Sequence, residues 1–402
     1  MKGGCFFCLN PSELVRLPRS SELFLLPGRS PVGFDRGRRR FRILDNLNAV
    51  AAFASPGYTA TYNSAYAEKS RTRMLPLFSY GAAVFLDGEF YIAATRVDRE
   101  LRQDFGSIDA KVICRKAREF GRLFSANRLV RHLQKCALTY GCPAAKNFFL
   151  SRYEAPLPTS PRCNARCAGC ISYQPEGRCP VTQPRIAFTP SPEEVAEVAL
   201  FHIEKAPDPV VSFGQGCEGE PLLVFKVLRD SIRLIRKKTS RGVINLNTNA
   251  SEPEKISRLF DAGLDSIRVS INSLQEIYYM RYYNPKGYSF RDVLDSTRIA
   301  KKKGGFVSLN YLVMPGFTDS KDEFTAFRRF LEKSQIDMIQ WRNMNFDPMR
   351  YFEELRFEPD AFGMIGMREL IGIVRKDFPS IMMGYFNPSR GRIARHAHRR
   401  LR

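Results

Sequence analysis

The sequence holds no apolar run long enough to cross a bilayer, and its opening, MKGGCFFCLN, lacks the apolar segment of a secretory leader. A cytoplasmic protein without a membrane partner is therefore expected, in which ten cysteines serve as thiols or metal ligands rather than as bridges. Acid is also scarce, with 41 Asp and Glu against 63 Lys and Arg and a formal net charge of +22. The tail SRGRIARHAHRRLR has no acidic residue at all. That excess fits either a polyanion partner such as RNA or basic, solvated ends of the chain. Two further absences concern cysteine. No fourth cysteine stands beside the trio Cys163, Cys167 and Cys170, and none follows Cys217.

What is present divides into three stretches. Residues 1–146 read as a mixed α+β accessory region whose first 75 residues show no sustained period. Pieces such as SELFLLPGRSPVGF look like isolated strands or turns. AAVFLDGEFYIAAT reads as a hairpin around Asp87-Gly88, a type I′ signal. NRLVRHLQKCALTYG reads as a helix with Leu129, Leu133 and Cys136 on one face. From 147 to 350 strands and helices alternate: AAKNFFLS, PVVSF, GVINLN, DSIRVSIN, FVSLNYLV and DMIQWR are the strands. The capping box from Ser191 to Glu194 opens the helix between the first two. Regular alternation predicts parallel strands in an α/β fold, here an open, partial (β/α)6 TIM-like barrel. Residues 351–402 read as a short C-terminal helical extension with the basic tail.

In such barrels chemistry gathers at the C-terminal ends of the strands. The trio of cysteines, GQGCEGEP, NTNAS, SINS, MPGFTD and RNMNFDP follow the six strands in turn and would line one mouth. Three close thiolates can hold three irons of a [4Fe–4S] cube and leave the fourth iron free for a ligand. A zinc site completed by a distant ligand and unliganded thiols are the alternatives.

C-x-x-x-C-x-x-C after the first strand of a partial barrel resembles the radical S-adenosylmethionine (SAM) superfamily, over roughly residues 147–350. The resemblance implies that Cys163, Cys167 and Cys170 ligate a [4Fe–4S] cluster whose free iron binds the methionine moiety of SAM. An electron from an external reductant such as flavodoxin or ferredoxin would then cleave SAM to a 5′-deoxyadenosyl radical, which abstracts hydrogen from a substrate: RNA, a peptide or a small molecule. Gly219 and Glu220, before Pro221, resemble the family's glycine-rich acidic motif that receives the ammonium of SAM, with Glu218 as a competitor. Ser270 and Asn272 match the position that holds the ribose, with Thr248 and Asn249 as neighbours. The sequence departs from the family in having Gly169, rather than an aromatic residue, before the third cysteine. No catalytic residue is assigned. An RNA-modifying enzyme of this class and a non-catalytic iron–sulfur or zinc-binding interaction protein are the other readings.

Several residues remain outside that scheme. Cys5 and Cys8 have a spacing compatible with metal but stand alone. Cys136, His132 and His202 ride helices and read as packed. Cys142, Cys179 and Cys217 lack close sequence partners, although Cys217 falls in the expected mouth. IYYMRYYNPKGY can stack a base, close over a substrate or pack in the core. Gln340, Arg342, Asn343 and Asn345 are expected near the substrate.

Overall fold

The computed structural model describes residues 1–69, 72–100, 105 and 108–400. Its first part contains more regular structure than the sequence suggests: β1 (Leu14–Arg16), β2 (Glu22–Leu26), β3 (Arg29–Asp35), β4 (Arg40–Ile43), β5 (Ala49–Phe53), β6 (Tyr58–Ala60), β7 (Tyr66–Glu68), β8 (Gly81–Leu86) and β9 (Glu89–Arg96). Strands of three to eight residues are too short to show a clear period of two, which is why this region reads as irregular. They form a sheet in the order β1-β9-β8-β5-β2, with β6 added on β9, and a small sheet β4-β3-β7. Asp87 and Gly88 both have positive φ, at 50° and 80°, and close the β8–β9 hairpin as an Asp-Gly pair should.

Three helices follow: α1 (Ala110–Leu123), α2 (Arg128–Leu138) and α3 (Pro143–Phe149). The last corrects the first expected strand. AAKNFFLS is mostly helical, with Pro143 in the first turn and Ala145, Phe148 and Phe149 buried at helical spacing. A short apolar run suits a strand or a helix equally, and here packing decides. The strand that opens the barrel is the shorter β10 (Glu154–Pro156).

The barrel then runs α4 (Pro192–Lys205), β11 (Val210–Phe213), α5 (Phe225–Lys238), β12 (Val243–Thr248), α6 (Pro253–Ala262), β13 (Ser266–Ile271), α7 (Glu276–Tyr283), α8 (Phe290–Lys302), β14 (Phe306–Val313), α9 (Lys321–Lys333) and β15 (Met338–Asn343). It ends with α10 (Pro348–Leu355), α11 (Met367–Asp377), β16 (Met382–Gly384) and α12 (Arg390–Arg400). Strands β10 to β16 lie in chain order, every pair parallel. The curled sheet is thus the expected partial barrel with a seventh strand, β16, which at three residues carries too little pattern to be read. Alternation on β13 sends Ile267, Val269 and Ile271 into the core, all fully buried, and leaves Arg268 and Ser270 for the barrel interior.

The two ends of the chain are tied to this barrel. Arg29 on β3, 1% exposed, donates to Asp347 at 2.9 Å and to Glu68 at 2.8 Å. Thr59 Oγ1 donates to the Trp341 carbonyl at 3.0 Å, and the Ala60 N–H to Asn343 Oδ1 at 2.8 Å, which docks β6 on β15. The basic tail forms α12 across the opposite, N-terminal end of the strands. Arg390 donates to the Gly242 carbonyl at 2.9 Å and pairs with Asp265, and Arg392 pairs with Asp98. Part of the tail's charge is thereby used within the fold. Among the described residues no helix is long and apolar enough to cross a membrane.

Candidate functional site

The three cysteines sit in the irregular loop between β10 and α4, all half-buried. Two neighbours give that loop its shape. On one side, the last turn of α7 offers carbonyls that lack helical partners, and the loop caps them: Arg166 N–H donates to the Tyr283 carbonyl and Ala168 N–H to that of Tyr282, each at 2.9 Å. On the other side, the Gly219 N–H donates to the Ser160 carbonyl at 2.7 Å and the Glu220 N–H to the Arg162 carbonyl at 2.9 Å. A Cβ on Gly219 would fall 1.9 Å from the Arg162 carbonyl oxygen, so only glycine permits this approach. Burial pushes the Cys163 thiol up to about 11 and raises the Cys167 thiol well above its usual range. Both are neutral thiols until a metal takes their protons. Arg185 brings a compensating cation, with Nη2 3.5 Å from the Cys170 sulfur.

A cavity of about 710 Å³ opens at this point, with Cys163, Cys167, Gly219, Glu220, Thr248, Asn249 and Ser270 in its wall. The two candidate glutamates differ sharply in position. Glu218 accepts five hydrogen bonds, from Thr159 N and Oγ1, Ser160 N, Gly214 N and Gln215 N, so its carboxylate braces the two loops against each other. Glu220 faces the cavity and accepts from Thr248 Oγ1 at 2.6 Å, Asn249 N at 2.8 Å and Leu222 N at 3.1 Å. Burial pushes its carboxyl up to about 7 despite those donors. Asn272 is not in the cavity wall: it is fully buried, donating to the Tyr351 hydroxyl at 3.3 Å and the Tyr278 carbonyl.

Deeper in the barrel the wall turns basic. Arg268 and Arg342 line it together with Asn310, Asn343, Asn345 and Tyr385. Arg268 donates to Gln340 at 3.2 Å, but its Nε is buried without a partner. Burial, with Arg342 adding to it, lowers this guanidinium to about 10. Arg342 stacks over the Tyr385 ring at 4.1 Å. Gln340 itself is wholly buried and also donates to Asn387.

Gly169 has a physical reason. A Cβ there would meet the Tyr282 hydroxyl at 2.9 Å and the Asn345 carbonyl at 3.3 Å, so the phenol from α7 occupies the neighbouring space. The tyrosine-rich segment is therefore chiefly packing: Tyr279, Tyr282 and Tyr283 are buried, and of these Tyr283 reaches the cavity wall. His202 is buried with Nε2 3.2 Å from the Tyr153 carbonyl, and burial lowers it to about 4, as a packed histidine should be. Cys5, Cys8 and Cys179 join no cluster of metal ligands among the described residues. His132, Cys136 and Cys217, each assigned separately from sequence, do come together. The available signal was the one-turn spacing of His132 and Cys136 on α2.

Residues 157–329 match the family model described as the Radical SAM superfamily. The chain is 28% identical over 181 residues to the FeMo cofactor biosynthesis protein NifB of Klebsiella pneumoniae, covering 41% of this chain and 38% of that protein. It is 26% identical over 218 residues to the GTP 3',8-cyclase of Aquifex aeolicus (strain VF5), covering 54% and 62%. It thus spans less than two thirds of either relative. Among solved structures it resembles a radical SAM methyltransferase from Sphaerobacter thermophilus at 14% identity and a TM-score of 0.37, covering 50% of this chain and 63% of that one.

Proposed function

Given that this chain belongs to the radical SAM superfamily through residues 157–329, we propose that it cleaves SAM reductively and abstracts hydrogen from a small anionic substrate held in the barrel. The cofactors of the superfamily are a [4Fe–4S] cluster and SAM. When bound, they supply an electron to the sulfonium and a 5′-deoxyadenosyl radical to the substrate. The chain's own residues divide the remaining work. Cys163, Cys167 and Cys170 would hold three irons, with Arg185 offsetting thiolate charge at Cys170. Glu220, fixed by Thr248 and Asn249, would accept the ammonium of SAM, while Gly219 lets the acidic loop lie against the cysteine loop. Thr248, Asn249 and Ser270, which line the cavity, would hold the ribose; Asn272, behind the wall, would act only by packing.

The carrying observation is the zipper between Ser160, Arg162, Gly219 and Glu220, which sets a carboxylate and the cysteine loop at one cavity. Residues 147–350 would form the catalytic core, residues 1–146 would supply part of the cavity rim, and residues 351–402 would extend the sheet and close its far end. An anionic substrate is favoured by two half-buried guanidiniums, Arg268 and Arg342, in one cavity wall, with Arg268 Nε left without a partner. An external reductant is required.

The test is anaerobic reconstitution with iron and sulfide, then SAM and dithionite. Wild-type protein is expected to release 5′-deoxyadenosine and Cys163→Ala to release none; a wild type with a full cluster and no product would refute the reading. Arg268→Met should keep substrate-free cleavage while losing most of any increase that an anionic candidate substrate brings. An undiminished increase would remove the anionic assignment and leave SAM cleavage standing.

A further inference from the structure

His132 and Cys136 stand one turn apart on α2, and the loop after β11 brings Cys217 to them across 85 residues of sequence. His132 Nε2 lies 3.4 Å from the Cys217 sulfur and 3.4 Å from the Cys136 sulfur. All three donor atoms lie within 4.8 Å of one another. Zinc bonds of about 2.3 Å to sulfur and about 2.0 Å to nitrogen, arranged tetrahedrally, separate their donors by roughly 3.5–3.8 Å. Thiolates on different irons of a cube stand farther apart, at roughly 6 Å. Among the described residues no other trio of His, Cys, Asp or Glu is drawn this close, and Cys163, Cys167 and Cys170 are more widely spread. The spacing thus suits one ion.

A fourth donor can come from Cys142, which precedes α3: its N–H donates to the Cys136 carbonyl at 2.9 Å, while its sulfur lies outside the close trio. It is half-buried and lines the large cavity, whereas Cys136 and Cys217 are 1% and 3% exposed. Two thiols and an imidazole drawn together, with the Cys142 thiol on the adjoining turn, offer the soft donor set that zinc prefers.

We propose that His132, Cys136 and Cys217, completed by Cys142, bind a single zinc-class divalent ion, a second metal site distinct from the Cys163–Cys167–Cys170 loop. Binding converts the thiols to thiolates, releases their protons and leaves the imidazole neutral. Its effect on the fold is direct: Cys217 lies two residues before Gly219, so the ion pins the glycine-rich loop to α2 and to the start of α3. It would position the loop that carries Glu220 without touching substrate.

The full chain carrying Cys163→Ala, Cys167→Ala and Cys170→Ala, purified anaerobically, separates this site from the cluster. Elemental analysis is expected to find about one zinc per chain, falling at least tenfold on adding Cys136→Ser and Cys217→Ser. Cobalt added to the zinc-stripped chain is expected to give thiolate charge-transfer bands and the strong visible bands of tetrahedral Co²⁺, weakened by His132→Gln. Zinc retained in the folded serine variant would overturn the proposal. So would a zinc-poor protein that gives no cobalt spectrum, sulfide-containing iron at these ligands, or a Cys136–Cys217 disulfide in anaerobically alkylated protein. Should the serine variant be insoluble, the cobalt spectrum of the parent decides the matter by its presence or absence.

Discussion

Glu220 carries two opposed demands. Three donors fix its carboxylate, yet burial raises its pKa from 4.5 to about 7. The ligand-free fold therefore binds a proton that the unfolded chain has lost between those values. Glu220's stabilising contribution is complete below about pH 4.5 and fades as pH rises through 7. An incoming ammonium reverses the preference, because it needs the charged carboxylate. SAM binding to the reconstituted protein is expected to tighten as pH rises from 6 to 8, approaching tenfold per unit on the acid side and levelling above about 7. Calorimetric titration at several pH values checks this. Glu220→Gln should bind more weakly with a flatter profile; an equally steep profile in that variant would assign the titration to another group.

At the scale of elements, the cysteine loop and α7 behave as one packed unit. Tyr282 fills the space that a side chain at residue 169 would need, and its carbonyl receives the Ala168 N–H. Gly169→Phe should therefore overpack this contact, at a cost of about 1–3 kcal/mol. Tyr282→Ala should leave a cavity costing about 3–5 kcal/mol. Combined, the new ring occupies the vacated space, so the double variant should be more stable than the sum of the two losses by about 0.5–3 kcal/mol. Urea denaturation of the four proteins measures this coupling, and strict additivity would mean that the phenol and residue 169 do not compete. The departure at Gly169 was visible in sequence, but its cause was not, because Tyr282 lies far along the chain. The same division holds elsewhere. The cysteine spacing, the Ser191 capping box and the alternation along β13 are local patterns and could be read directly. The helical state of α3, the three-residue β16 and the convergence of His132 with Cys217 depend on packing between distant segments. The burial of Asn272 behind the cavity wall is illegible for a related reason: strand alternation assigns a face only within β13, and Asn272 lies just beyond its end.

The whole molecule depends on how the N-terminal strands hold the barrel, and one buried tie between them is ionic. Arg29 and Asp347 are 1% and 0% exposed at a separation of 2.9 Å, with Glu68 and the Tyr66 hydroxyl completing the group. Asp347 also accepts from the Leu75 and Met349 N–H groups, so the same carboxylate caps α10 and anchors the chain that follows β7. Apolar replacement of a whole buried ion pair is often neutral or stabilising, but removing one partner alone leaves a buried charge uncompensated. Arg29→Met is therefore expected to destabilise the protein by about 3–5 kcal/mol, and Arg29→Met with Asp347→Asn by clearly less. Because both charges are out of water, the loss should persist at about 1 M salt, where exposed pairs such as Arg16–Glu89 are screened. Denaturation midpoints at low and high salt, with limited proteolysis following release of the N-terminal strands, provide the measurement. If Arg29→Met unfolds like the wild type, the N-terminal sheets are held by their backbone contacts with β15 instead, and the Thr59 and Ala60 hydrogen bonds become the tie to break.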